Sequence, residues 1–208
     1  MYLSRIKLDV SKQQTMKALA SPNLFHGAVE SCEAEGRSRK LWRIDTLGGV
    51  PHLLILSEQQ LDFSPVAQQF CTDMFVESKC YDPLLERITE GSRWRFRLCA
   101  NPTIDKFSEN AKRKMVMAII GTKQQEEWLM KRSAKHGFSL QAESFLVTGS
   151  QWYHFRKGTE RQYVRMLAVT YEGILTVTDA DAFRKILTQG IGREKAYGMG
   201  LLTIAGIR

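Results

Sequence analysis

The sequence predicts an α+β protein made of two successive βαββαβ units. Three observations carry that prediction: a strand-like alternation at 2–10, a strand–helix–strand–strand–helix–strand order across the first half, and the return of that order in the second. Each element has its own local justification.

Residues 2–10 place Tyr2, Ser4, Ile6, Leu8 and Val10 on one face, the period of a half-buried strand. Residues 12–20 read as a helix. Ser21-Pro22 restarts one, since serine caps and proline fits a first turn. Leu24, Phe25, Ala28, Val29 and Cys32 then recur at helical spacing to about Glu35, with Gly36 as the stop. Strands at 40–47 and 52–57 flank the turn Gly48-Gly49-Val50-Pro51. A weaker helix covers 65–71, and 74–79 is extended.

In the second half, Arg93, Arg95 and Arg97 alternate with Trp94, Phe96 and Leu98, and Asn101-Pro102 ends that strand. Residues 106–114 are polar and basic and read as a loop. A helix follows at 122–136, then long strands at about 138–155 and 162–177 around the basic turn 156–161. A capped helix from Asp179 to Leu187 and a last strand at 201–207 complete the unit. Two such units imply tandem ferredoxin-like domains, 1–90 and 91–208, an architecture shared with RRM modules. Neither half shows the stacked-aromatic pattern of an RRM sheet, so the sheet face is not read as the main RNA platform.

The 208 residues, 43% apolar and 25% charged, have the balance of a globular protein. No apolar run approaches the roughly 20 residues of a membrane span, and the start lacks a signal-peptide pattern, so a cytoplasmic location is expected. Four cysteines form no C-x-x-C pair, and Cys32 and Cys71 fall in apolar helical stretches, as buried thiols do. Four histidines without ligand spacing give no expectation of a metal. Charge is divided unevenly. Residues 1–92 hold 10 Lys and Arg against 12 Asp and Glu, while 93–208 hold 20 against 10. The net of −2 in the first half and +10 in the second puts a footprint for a polyanion on the second.

The most distinctive stretch is Gly190-Ile191-Gly192-Arg193-Glu194-Lys195-Ala196-Tyr197-Gly198-Met199-Gly200-Leu201-Leu202. It is no Walker A loop, because no Gly-Lys-Ser/Thr run opens a helix. Nor is it a Rossmann fingerprint, because Lys195 stands where the third glycine belongs and only a strand follows. No nucleotide cofactor is expected. Two readings stay open from the residues alone: an anion-binding loop with Arg193 and Lys195 beside it, or a turn that packs the last strand.

The order G-x-G-x-x-K-A-x-G-x-G-L-L resembles the glycine-rich signature of the Cas-six superfamily of CRISPR endoribonucleases. Other segments resemble its CasE branch: Met1-Tyr2-Leu3-Ser4, the run from Glu35 to Arg43, Arg95-Phe96-Arg97-Leu98-Cys99-Ala100-Asn101-Pro102, and Glu172-Gly173-Ile174-Leu175. These anchors span the whole chain in family order. The resemblance implies a metal-independent nuclease that cuts CRISPR repeat stem-loops by attack of the RNA's own 2′-hydroxyl, leaving a 5′-hydroxyl and a 2′,3′-cyclic phosphate. It also implies that the protein stays bound as a subunit among other Cascade subunits.

Such chemistry needs a proton-transfer group with a pKa near neutrality, which histidine supplies. By pattern alone a lone helix histidine such as His26 is a structural residue; the resemblance makes it the catalytic one. His52 and His136 read as surface residues, and His154 as an RNA contact. Family members carry a tyrosine three residues before the histidine, where this chain has Asn23. Asn23, Ser31 and Arg37 are therefore the candidate helpers. Arg156, Lys157 and Arg161, at the turn between the long strands, are candidate RNA contacts. So are Gly190, Gly192, Arg193, Lys195, Gly198 and Gly200. The alternative readings are an RNA-binding subunit without chemistry and a protein scaffold without RNA.

Overall fold

The computed structural model describes residues 1–33, 38–73, 75–108, 113–157 and 162–207, with the backbone alone described at Ser108, Arg113, Lys157 and Gln162. The alternating N-terminus forms β1 (Tyr2–Lys7), which buries Ser4 and Ile6 on its inner face. Helices α1 (Gln13–Ala20) and α2 (Asn23–Glu30) follow. Strands β2 (Leu41–Leu47) and β3 (Val50–Ser57), helix α3 (Ser64–Phe70) and strand β4 (Val76–Cys80) complete the first unit. Its antiparallel sheet runs β2-β3-β1-β4. Ala18, Phe25, Ala28, Val29, Val66 and Phe70 from the three helices close over Ile6, Leu53 and Ile55 to make one core. A short helix, α4 (Asp82–Glu86), leads on, and Tyr81 and Ile88 beside it pack into the second core.

The second unit contains β5 (Arg93–Ala100), β6 (Thr103–Ser108), β7 (Arg113–Ala118), α5 (Thr122–Ser133), β8 (Phe138–Ser139), β9 (Phe145–Lys157), β10 (Gln162–Val177), α6 (Ala180–Gln189) and β11 (Leu202–Gly206). Its sheet runs β11-β5-β10, with β8 and β9 sharing the outer edge of β10. Counted within each unit, both sheets therefore read 4-1-3-2. That is the ferredoxin-like order, and the tandem α+β fold is present. Asp179 caps α6 as the sequence predicts, accepting from the amides of Asp181 and Ala182 at 3.0 and 2.9 Å.

Three elements differ from the sequence reading, the first being α2, which was expected to run to about Glu35 and ends at Glu30. The long strand expected at 138–155 is split by a turn in which the Ser144 amide donates to the Gln141 carbonyl at 2.9 Å. Of the segment read as a loop at 106–114, the described ends belong to β6 and β7, which among the described residues pair only with each other. Apart from Ala118, which packs against the second core, their large apolar residues are uncovered and give no burial period. Ile104, Phe107, Met115, Val116 and Met117 are all exposed.

The two units are bolted together through β2. Successive strand residues face opposite ways, so Trp42 enters the first core while its neighbour Leu41 enters the second. Arg43, only 2% exposed, forms a bidentate pair with Asp45 at 2.8 and 2.6 Å. It also donates to the carbonyls of Arg97 and Leu201 and to the Thr203 hydroxyl, at 2.9, 2.8 and 2.9 Å. A charged group buried with this many partners is satisfied rather than costly, and three of them lie in the other unit.

Candidate active site

The burial of Phe25, Ala28 and Val29 fixes which side of α2 faces inward. His26 is thereby left at the helix edge with its side chain 34% exposed. One turn on, Glu30 places a carboxylate oxygen 3.9 Å from His26 Nδ1. The ring meets the edge of Tyr197 at 6.2 Å. Tyr197 sits on a 3₁₀ turn, Lys195–Tyr197, inside the glycine segment, and is held by an edge-to-face contact with Phe155 of β9 at 5.0 Å. His26 thus belongs to the first unit but faces a residue of the second. Between them lies a cleft of about 360 Å³ lined by His26, Glu30, Ser38, Arg39, Lys40, Trp42 and Ala196.

The glycine segment is built for this junction. All four glycines named above have positive φ, from +74° to +88°. At Gly198 a side chain would place its Cβ 2.7 Å from the Trp42 ring, so close approach to the first unit requires glycine there. At Gly192 the space is open by comparison, the nearest atom being Trp128 at 3.5 Å, and only the backbone angle demands glycine. Ile191 donates its amide to the Gly200 carbonyl at 2.9 Å, which closes the loop on itself. The packing role of these glycines is therefore real, and it carries Ala196 to the cleft and Tyr197 to the His26 ring.

Lys195 is half-buried, and burial together with the charge of Arg39 lowers its pKa. Arg39 and Ala196, the residue after Lys195, line the His26 cleft together. Lys40 is spoken for: its ammonium lies 2.5 Å from Glu33. Lys40, with the Ser38 hydroxyl and amide, pulls the Glu33 carboxyl down to about 2. Arg193 is exposed and lies 3.8 Å from Asp105 on the β6–β7 hairpin, so that hairpin stands beside the glycine segment. His136, read as a surface residue, is instead half-buried. Burial first, then the charges of Arg132, Lys195 and Lys135, lower its pKa.

The proposed helpers separate. The Asn23 side-chain carbonyl accepts from Ser21 at 2.7 Å at the start of α2, where serine had been expected to cap the helix. The Ser31 hydroxyl donates back to the Gly27 carbonyl at 3.0 Å, at the far end of α2 and outside the residues lining the cleft. Arg156 is exposed on β9. Arg37, Arg161 and the Lys157 side chain lie outside the described residues. Sequence reasoning missed Glu30, Arg39 and Tyr197 as neighbours of His26. Arg39 stood within the quoted family run, and Tyr197 was the lone aromatic of the glycine segment; helix spacing of four was the signal for Glu30. Among the described residues no cluster of His, Cys, Asp or Glu is placed to hold a metal ion. No described helix is long and apolar enough to cross a membrane.

With this geometry in view, the likeness to known proteins becomes informative. The CRISPR-associated endoribonuclease Cse3 of Thermus thermophilus is 27% identical over 99% of this chain and all of its own length. The Cascade subunit CasE of Escherichia coli is 30% identical over 53% of this chain and 56% of its own. Among solved structures, a CRISPR endoribonuclease Cse3 bound to a 19-nucleotide RNA superposes with a TM-score of 0.82 at 26% identity, covering 99% of this chain and 100% of that one. The Thermus thermophilus Cse3 bound to an RNA representing a pre-cleavage complex gives 0.78, at 26% identity over 99% and 98%. The model of the CRISPR associated protein family matches residues 1–206, and the chain belongs to that family.

Proposed function

We propose that this protein is a metal-independent endoribonuclease that binds CRISPR repeat stem-loops, cuts the precursor RNA and remains with the product as a Cascade subunit in the cytoplasm. The observation that carries the reading is His26 beside Arg39 in a cleft between the units, in a chain similar over its whole length to a named CRISPR endoribonuclease. In the reaction the substrate's 2′-oxygen attacks phosphorus, the bond to the 5′-oxygen breaks, and two protons move: one off the 2′-hydroxyl and one onto the leaving oxygen. His26 serves a proton step, with Glu30 one helical turn away to orient the ring. Arg39 and Lys195 offset the charge that gathers on the phosphorane. Asn23, its carbonyl already taken by Ser21, has its amide hydrogens to offer a phosphate oxygen.

The footprint for the stem is the basic side of the second unit. It comprises Arg156 and Lys157 at the end of β9, Arg161 just before β10 in sequence, Arg193 and Lys195 in the glycine segment, and Lys106 and Lys114 on β6 and β7. Incubating the protein with its repeat RNA in EDTA tests the proposal. Cleavage to a 5′-hydroxyl and a cyclic phosphate is expected; absence of cleavage, or cleavage unchanged by His26→Ala, defeats it. Asn23 favours one second reading, an RNA-binding subunit with weak chemistry, for which tight binding without cleavage is the sign.

A further inference from the structure

The outer part of the β9–β10 ribbon presents two unlike faces. On one, Phe155 and Met166 are buried with Tyr197 and Met199, toward the His26 side. On the other, the register brings together Trp152, His154 and Arg156 from β9 with Tyr163 and Arg165 from β10, pairing Arg165 with His154 and Tyr163 with Arg156. These five form a ladder. The Arg165 guanidinium lies over the Trp152 ring at 4.3 Å. Trp152 and His154 are 6.0 Å apart by ring centroid, and His154 and Tyr163 are 6.1 Å apart. The Tyr163 hydroxyl meets His154 Nδ1 at 3.0 Å. Trp152 is anchored by its inner edge in the second core, whereas His154, Arg156 and Arg165 are exposed and Tyr163 is 66% exposed. The strands on either side, 151–157 and 162–167, contain no acidic residue.

We infer that this ladder is a platform for single-stranded RNA, taking the unpaired nucleotides that adjoin the stem-loop. The inference rests on the RNA-processing reading above and deepens it. A protein that cuts inside a longer RNA has chain on both sides of the scissile phosphate, and only one side is the stem. Flat rings and guanidinium planes on neighbouring positions suit bases whose faces are free; a duplex keeps its base faces stacked within itself. The planar cation Arg165 adds backbone neutralisation, with Arg156 at the ladder's outer end where the stem footprint begins, and an aromatic–cation array free of carboxylates matches RNA better than an ordinary protein surface. The position serves the purpose. β9 is an edge strand, so an RNA chain leaving the His26 side has only one strand's width, roughly 5 Å, to round before it reaches the ladder.

The test uses the full-length protein and two synthetic repeat RNAs, each carrying a 2′-deoxy nucleotide at the cut site. One is the bare stem-loop; the other adds a single-stranded extension of about six nucleotides, within the span one such surface takes. Wild-type protein is expected to bind the extended RNA at least tenfold more tightly, and Tyr163→Ala with Arg165→Gln to remove that advantage. Abasic extension nucleotides should remove it equally in the wild type and change nothing further in the variant. Trp152→Ala repeats the test at the anchored ring, with circular dichroism to show that it folds. An equal loss on both RNAs assigns the ladder to the stem and overturns the inference, as does no loss on either, which leaves a protein contact. Failure of wild-type protein to bind even the bare stem-loop defeats the parent reading instead.

Discussion

The two units share one strand order and divide the work. The first is a closed object: three helices over four strands, a slightly acidic balance, and His26 set at the rim of its second helix. The second keeps the same 4-1-3-2 sheet but adds parts that leave it, the β6–β7 hairpin and the ribbon of β9 and β10, and it carries the whole positive excess. Duplicating a fold duplicates its core and its topology. What distinguishes the copies is what projects beyond the core, where packing sets no limit on residue choice. On the proposed reading, chemistry stands on the first unit and the polyanion-binding surface on the second, and the cleft forms where they meet.

The sharpest way to break that division is at His26. Replacing it with Ala removes a proton-transfer group and is expected to slow cleavage by about 10²–10⁴-fold, while affinity for the uncleavable RNA stays within a fewfold of wild type. Single-turnover cleavage and filter binding on the same preparation check it. A parallel loss of binding would place RNA recognition on the first unit and dissolve the contrast.

Arg43 tests whether the units need each other. Arg43→Met strips Asp45 of its bidentate partner and leaves the carbonyls of Arg97 and Leu201 without their donor. Breaking a buried pair of this kind costs about 3–5 kcal/mol. Denaturant unfolding should show the loss, and a single transition should split in two as the interface weakens. Next in size, Gly198→Ala meets both a positive φ and the Trp42 ring, for about 3 kcal/mol, whereas Gly192→Ala meets the angle alone, for about 1 kcal/mol. Equal costs at the two sites would mean that Trp42 does not set the approach of the segment.

On the extended unit, Lys106→Gln with Lys114→Gln should weaken RNA binding about tenfold and flatten the slope of log affinity against log salt by about 0.7–0.9 per lost phosphate contact. The same pair should leave His26 chemistry on bound RNA unchanged. This hairpin is also where sequence reading fell short. The described large apolar residues of β6 and β7 are all exposed, so they follow no burial period and the segment looked like a polar loop. The regular elements were legible because each must hide one side: Phe25, Ala28 and Val29 on α2, or Trp94, Phe96 and Leu98 on β5. His26 itself was invisible to pattern and visible only through resemblance. Its neighbours Arg39 and Tyr197 come from segments about 13 and 171 residues away, a convergence that no local period encodes.

The smallest effect separates cations that hold the fold from cations that meet RNA. Lys40 faces the His26 cleft by position, yet its ammonium is committed to Glu33, whose carboxyl it holds, with Ser38, at about 2 against the usual 4.5. A carboxyl depressed in the folded state leaves the unfolded chain binding more protons as the solution is acidified. Its contribution to stability is therefore complete above pH 4.5 and is lost as the pH falls from there toward 2. Glu33→Gln should flatten that part of the acid limb in thermal melts and leave melting at pH 7 lower than wild type. The released Lys40 then gains freedom to reach a phosphate, so the same variant should bind RNA no more weakly, and with a slightly steeper salt dependence. A weaker, flatter response would instead show that Glu33 positions the cleft for RNA, and that the first unit contributes more to binding than its histidine.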